Sequence, residues 1–216
     1  MSDLEAFQYH ALEYDKWFDN HKIEYDLELK AIREFLPKDG NGIEIGTGTG
    51  RFTAPLGISL GIEPSESMRS IALNRGVNVI AGRAESLPVE DGVYDYALLV
   101  TVDCFFEKPE LVFKEVYRVL KTEGLIIVGF IDKNSTLGKR YEKNKHTSKF
   151  YKDANFHSVE EIQKKLVKIK FGNIKIVQAL LPADINENVK IEVKSGYGDG
   201  SFVVLRAQKL DTSPDT

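Results

Sequence analysis

The segment that most restricts how this chain can fold is a glycine run set directly behind a short apolar stretch. Gly42-Ile43-Glu44-Ile45 leads into Gly46-Thr47-Gly48-Thr49-Gly50. A strand that ends in alternate glycines makes a tight turn, and with no Cβ in the way its backbone can approach a ligand closely. A helix starting behind such a turn presents free amides and the positive end of its dipole to an anionic group.

Three kinds of nucleotide site use loops of this type, and the neighbouring residues separate them. The chain has no G-x-x-x-x-G-K-[ST] run, as a P-loop requires. The dinucleotide fingerprint G-x-G-x-x-G needs glycine at position 51, where Arg51 stands. The match is G-x-G-x-G, preceded by Glu44. A carboxylate there is badly placed beside a pyrophosphate but suits a ligand with an ammonium group. Glu63, 17 residues after Gly46, closes the next apolar run as Gly61-Ile62-Glu63-Pro64-Ser65. An acid at that strand tip can accept both hydroxyls of a ribose, or simply precede a capped helix.

Periodicity fixes the fold class. Residues 4–36 read as helix, with Phe7, Ala11, Tyr14, Phe18 and then Leu27, Ala31, Phe35 at helical spacing. Short apolar runs follow at 42–45, 58–62, 77–81, 94–100 and 125–131, separated by turn residues and helical stretches. Ser65 is expected to cap a helix to Arg75, and Pro109 to open one to Leu120. Alternating strands and helices predict an α/β, doubly wound, mostly parallel sheet covered on both faces. Only about a dozen residues separate Gly46 from the second strand, so the first crossover helix must be short, shaped by Pro55. After a helix over 158–170, strands at 174–181 and 201–208 have no helix between them and should pair antiparallel.

Composition narrows the class of partner. No apolar run is long enough for a transmembrane helix, and the first residues, MSDLEAFQYH, lack the pattern of a secretory signal, so a cytoplasmic location is expected. Cys104 is the single cysteine, which excludes an internal disulfide and a multi-thiolate zinc site. His10, His21, His146 and His157 have no ligand spacing, so no metal is expected. The net charge of −4 argues against a general nucleic-acid binder. Residues 132–175 nevertheless carry 12 Lys or Arg against 5 Asp or Glu, leaving −11 on the remainder. That basic stretch is either a solvated face or a surface for an acidic substrate.

Four segments then occur in order: EIGTGTGRF, GIEPSESM, AGRAESLPVEDGVYDYALLV and EVYRVLKTEGLIIVGF. Together they resemble the class I S-adenosylmethionine-dependent methyltransferases, in the branch of small-molecule and quinone-type enzymes, across about two-fifths of the chain. The resemblance implies a Rossmann-like, seven-stranded sheet with an antiparallel last strand and N-terminal helices. It also implies one domain over 1–210, with a helical lid at 1–36, a substrate cover at 132–157 and a tail at 211–216.

The expected function is methyl transfer from S-adenosylmethionine to a small molecule, releasing S-adenosylhomocysteine. The resemblance implies that Gly46, Thr47 and Gly48 line the methionine and ribose portions, with Glu44 near the amino group. Glu63, with Pro64 beside it, would hold the ribose hydroxyls. Met68 would touch the nucleoside or pack in the core, and Ala84 and Glu85 would meet adenine, because Arg83 stands where many relatives carry Asp. Thr101 would sit beside the methionine portion. Asp103 is the candidate base, binder of a cationic substrate, or turn cap. Phe105 would floor the site. Tyr14-Asp15-Lys16-Trp17-Phe18 resembles an element that folds over the cofactor, and Tyr14, Trp17 and Tyr141 are expected over the substrate. Methylation of RNA or protein, a binding module without turnover, and more distantly a nicotinamide-dependent oxidoreductase are the competing readings. Neither the acceptor atom nor the oligomeric state is fixed by these motifs.

Overall fold

The computed structural model describes residues 3–184 and 192–211; of the expected tail at 211–216, all but Asp211 lies outside the described residues. The sheet runs β3-β2-β1-β4-β5-β8-β6-β7. Its parallel part comprises β1 (Gly42–Ile45), β2 (Leu60–Ile62), β3 (Val79–Ile80), β4 (Tyr94–Val100) and β5 (Leu120–Ile131). β8 (Phe202–Lys209) lies antiparallel between β5 and β6 (Phe171–Ala179). The antiparallel end expected from two strands without a crossover helix is therefore present. An eighth strand, β7 (Val193–Ser195), is added at the edge beyond the seven expected; three residues without an apolar run give no periodicity to read.

Burial alternates along the central strands because successive side chains point to opposite faces. Ala97 and Leu99 of β4 join Ile126, Val128, Val203 and Leu205 beneath α6 (Pro109–Val119) and α8 (Val159–Lys168). Tyr96, Leu98 and Val100 join Ile127, Phe202 and Val204 on the opposite face, under α3 (Lys22–Arg33). Helices on both faces explain why β4 reads as a nearly continuous apolar run. Pro109 opens α6 at its first turn, where its missing amide costs nothing. A reciprocal Ser158–Glu161 capping box opens α8.

Two sequence readings change in detail. The N-terminal helical region is broken into α1 (Asp3–Tyr9), α2 (Ala11–Asn20) and α3, with joints at His10 and His21. Neither joint carries Gly or Pro; α1 and α2 pack on α5, whereas α3 packs on the sheet. β5 begins at Leu120, ahead of the expected residue 125, with an irregularity between the pairs Tyr94–Leu120 and Tyr96–Leu125. Glu123, at φ 62°, turns the extra residues out of the ladder. The first crossover is short as expected: α4 is Thr53–Leu56, and Gly57 ends it in the left-handed region. α5 (Glu66–Asn74) starts at the Ser65 cap, whose hydroxyl accepts from the Met68 amide.

Candidate functional site

The carboxyl ends of β1, β2 and β4 lie side by side, the edge at which open α/β sheets bind ligands. The turn after β1 is pulled onto β2 by the Gly46 and Thr47 amides, which donate to the Ile62 carbonyl at 2.8 and 3.1 Å. Gly46 holds φ +77°, and a Cβ there would lie 2.5 Å from Val102 Cγ1. Gly46→Ala should cost about 2 kcal/mol through left-handed strain and this clash, seen as a lower urea midpoint.

Glu63 follows β2, and its buried carboxylate accepts from the Gly48 amide at 2.9 Å and the Ser65 amide at 2.8 Å. Burial raises its pKa, while the two amides oppose that shift. Arg69 donates to the Glu63 and Pro64 carbonyls at 2.8 Å, fixing the turn. Thr101, after β4, has φ +51°, an uncommon conformation for a β-branched residue and one that concentrates at functional sites.

These pieces surround a cavity of about 180 Å³. Gly46, Gly48, Glu63, Pro64, Met68, Ala84 and Glu85 line it. Thr101, Phe105, Phe7 and Tyr14 also line it. Arg83 also borders it, with Nε 3.7 Å from Glu85. A recessed carboxylate beside glycine backbone, in one lining with Met68 and Phe105, has the chemistry to take a ribose and an adenine.

A second cavity, of about 360 Å³, shares Tyr14 and Thr101 with the first. Trp17, Tyr141, Phe150 and Tyr151 give it aromatic walls, and α3 contributes Glu24 and Glu28. Trp17 stacks on His21 at 4.4 Å, and Tyr141 on Tyr151 at 5.5 Å. Tyr141 belongs to α7 (Thr136–Asn144), so the 132–157 segment does face this space.

Three expected residues do not line either cavity. Thr47 turns under the loop, its hydroxyl donating to the Glu44 carbonyl at 3.2 Å. Glu44 is buried and accepts from the Thr53 hydroxyl; burial, reinforced by nearby Glu63, pushes its carboxyl up to about 8. Asp103 points into the interior, where it pairs with buried His157 at 3.2 Å.

The sequence reading missed how the N-terminal helices are held. Arg51 forks onto Asp15 at 2.9 and 2.7 Å and onto Asp19 at 2.8 and 3.0 Å. Arg75 adds 3.1 Å contacts to Asp15. Gln8 accepts from the Ser65 hydroxyl at 2.9 Å and donates to Ser67 at 2.9 Å. Burial raises Asp15, but hydrogen bonds from Arg51 and Arg75 outweigh it and hold the carboxyl at about 2. A depressed carboxyl stabilises the fold fully above its ordinary value of 3.8 and loses that contribution as pH falls toward 2. Asp15→Asn should therefore cost about 2 kcal/mol at pH 7 in urea unfolding, with the gap to wild type closing below pH 3.8. Glu28 was also missed, although its signal was present: it lies three residues before Ala31 and four before Ile32, on the apolar side of α3.

Among the described residues, no group of three or more His, Cys, Asp or Glu is placed to hold a metal ion, and no helix is long and apolar enough to cross a membrane. Comparison with known proteins matches residues 43–128 to the methyltransferase domain family. An uncharacterized protein of Methanocaldococcus jannaschii is 46% identical over 207 residues, covering 96% of this chain and 100% of that one. A solved structure from Thermotoga maritima, described as a SAM-dependent methyltransferase and possible histamine N-methyltransferase, is 46% identical with a TM-score of 0.90, covering 96% of this chain and 99% of that one. A SAM-dependent methyltransferase from Archaeoglobus fulgidus shares the fold at 16% identity and a TM-score of 0.68, covering 91% and 99%. The ordered motifs, the strand order and a full-length relative at 46% identity agree, and the chain belongs to the class I S-adenosylmethionine-dependent methyltransferases.

Proposed function

We propose that this protein transfers a methyl group from S-adenosylmethionine to a small-molecule acceptor, with donor and acceptor held in the two cavities that meet at Tyr14 and Thr101. The reading is supported by the presence of Tyr14 and Thr101 in the linings of both cavities. The donor supplies an electrophilic methyl on a sulfonium, whose departure leaves S-adenosylhomocysteine. Glu63 would hold the ribose hydroxyls, and the glycine turn would take the methionine portion. Met68, Ala84, Glu85 and Phe105 would flank the base. Methyl transfer is chiefly a matter of bringing two atoms into line, so a rigid junction between cavities is the chemistry required of the chain. In this reading the helices within 1–36 act as the lid, tied down by Asp15 and Gln8, and residues 132–157 cover the acceptor.

A macromolecular acceptor was the competing reading, motivated by the basic stretch at 132–175. Four of its twelve basic side chains are already engaged: Lys133 meets Glu161, Lys145 meets Glu142, Lys149 meets Glu13 and Lys165 meets Glu110. The Thermotoga relative's description as a possible histamine N-methyltransferase is in keeping with a small acceptor. Incubation of the protein with methyl-labelled donor and fractionated cell extract should place label in the low-molecular-mass fraction. Label confined to RNA or protein would overturn the small-molecule reading.

A further inference from the structure

Glu28 is a buried carboxylate that the fold itself does not use. It is 4% exposed and borders the second cavity, yet no hydrogen bond or ion pair joins it to any described residue. Its carboxyl oxygens are not sealed in but reach that cavity, and a carboxyl group in so enclosed a place gains from a partner that a ligand can supply. Its surroundings select the ligand. The charged groups around the cavity are Glu13, Glu24, Glu28 and Arg140, and Glu13 is already paired with Lys149. Arg140 is exposed, whereas Glu28 is enclosed. An anionic acceptor would oppose ionisation of Glu28 and would meet Glu24 on the preceding turn of α3. A cation would meet those carboxylates and the faces of aromatic rings.

Resting on the function proposed above, we propose that the second cavity binds the methyl acceptor as an amine that is cationic in water, with its nitrogen on the Glu28 carboxylate and its carbon frame between Trp17, Tyr141 and Tyr151.

The remaining titratable groups facing the cavity are His21 and the phenols of Tyr14, Tyr141 and Tyr151. Burial raises all three phenols, so they remain neutral and do not serve as the base, while His21 lies stacked on Trp17 with its Nδ1 on the Trp17 carbonyl. Burial, with Glu24 adding to it, pushes Glu28 up to about 8, so the free protein holds a proton there at neutral pH. Binding an ammonium converts Glu28 to its carboxylate and releases that proton to solvent. For transfer, the ammonium returns one proton to Glu28 and exposes its lone pair. The lone pair forms the new C–N bond, the C–S electrons remain on sulfur, and Glu28 later passes its proton to water.

The test uses the full chain, in two stages. S-adenosylhomocysteine is first titrated into wild type and Glu28→Gln. Arylalkyl amines of graded size, with matched alcohols, thiols and carboxylates, are then titrated into the saturated protein in buffers of different ionisation enthalpy. The proposal expects amines alone to bind, with close to one proton released at pH 7. It expects Glu28→Gln to weaken amine binding and slow amine methylation at least tenfold while binding S-adenosylhomocysteine as wild type does, which also shows that the variant is folded. Failure of S-adenosylhomocysteine to bind wild type would overturn the donor-site reading itself. Normal donor binding with no amine bound, with a matched alcohol, thiol or carboxylate preferred, or with amine binding indifferent to Glu28→Gln would overturn the amine proposal alone.

Discussion

Glu63→Ala is expected to weaken S-adenosylhomocysteine binding by about 100-fold or more. The carboxylate stands at the end of β2 with each oxygen taking one backbone amide, from Gly48 and from Ser65. Each oxygen keeps a second lone pair for a ribose hydroxyl, and hydrogen bonds to a charged acceptor are worth about 1.5–3 kcal/mol each. Losing two of them accounts for the expected change, at 1.4 kcal/mol per tenfold. Removal also frees the Gly48 amide and loosens the turn that shapes the first cavity. Isothermal titration calorimetry on wild type and variant measures the effect, with circular dichroism checking that the fold is kept. A variant that binds S-adenosylhomocysteine within a few-fold of wild type would remove Glu63 from the donor site.

The second large effect concerns stability. Glu28→Gln should make the free protein more stable in alkaline buffer, although the same change is expected to damage acceptor binding. Burial raises the Glu28 carboxyl from 4.5 to about 8, so the folded state binds this proton more tightly than the unfolded state does. Stability is therefore lost as pH rises from 4.5 toward 8, and the full loss persists above that. An amide avoids the loss, so the variant should gain on the order of 3 kcal/mol at pH 9, or roughly 5–10 °C in Tm for a chain of this size. Near pH 5 the acid is protonated in the fold and the gap should nearly close. Thermal melts at the two pH values decide it; equal melting temperatures at pH 9 would show that Glu28 is solvated or partnered in solution. The alkaline gain is the cost the free protein bears for keeping a carboxylate ready for a ligand.

Much of the fold was legible because the relevant signals are local. The apolar run of β4, the Ser65 cap, Pro109 at the head of α6 and the short first crossover each follow from a few adjacent residues. The breaks at His10 and His21 were not, since no residue there forbids a helix and the elements these helices pack on lie far along the chain. Site residues divide in the same way. Gly46, Glu63 and Thr101 sit one step beyond strand ends and Gly48 three, so locating the strands locates them. Glu44, within β1, and Asp103, three residues past β4, are also near strand ends, but their side chains turn inward to Thr53 and His157, partners 9 and 54 residues away. The Arg51–Asp15 clamp joins residues 36 apart, and Glu28 gains its meaning only from rings contributed by α2 and the 132–157 segment.

If donor and acceptor meet at Tyr14 and Thr101, a crystal structure of the protein with S-adenosylhomocysteine will show the ribose on Glu63, the base between Met68 and Phe105, and the sulfur at Thr101 facing the cavity that holds Glu28. A nucleoside bound elsewhere, or a sulfur directed away from that cavity, would contradict that arrangement.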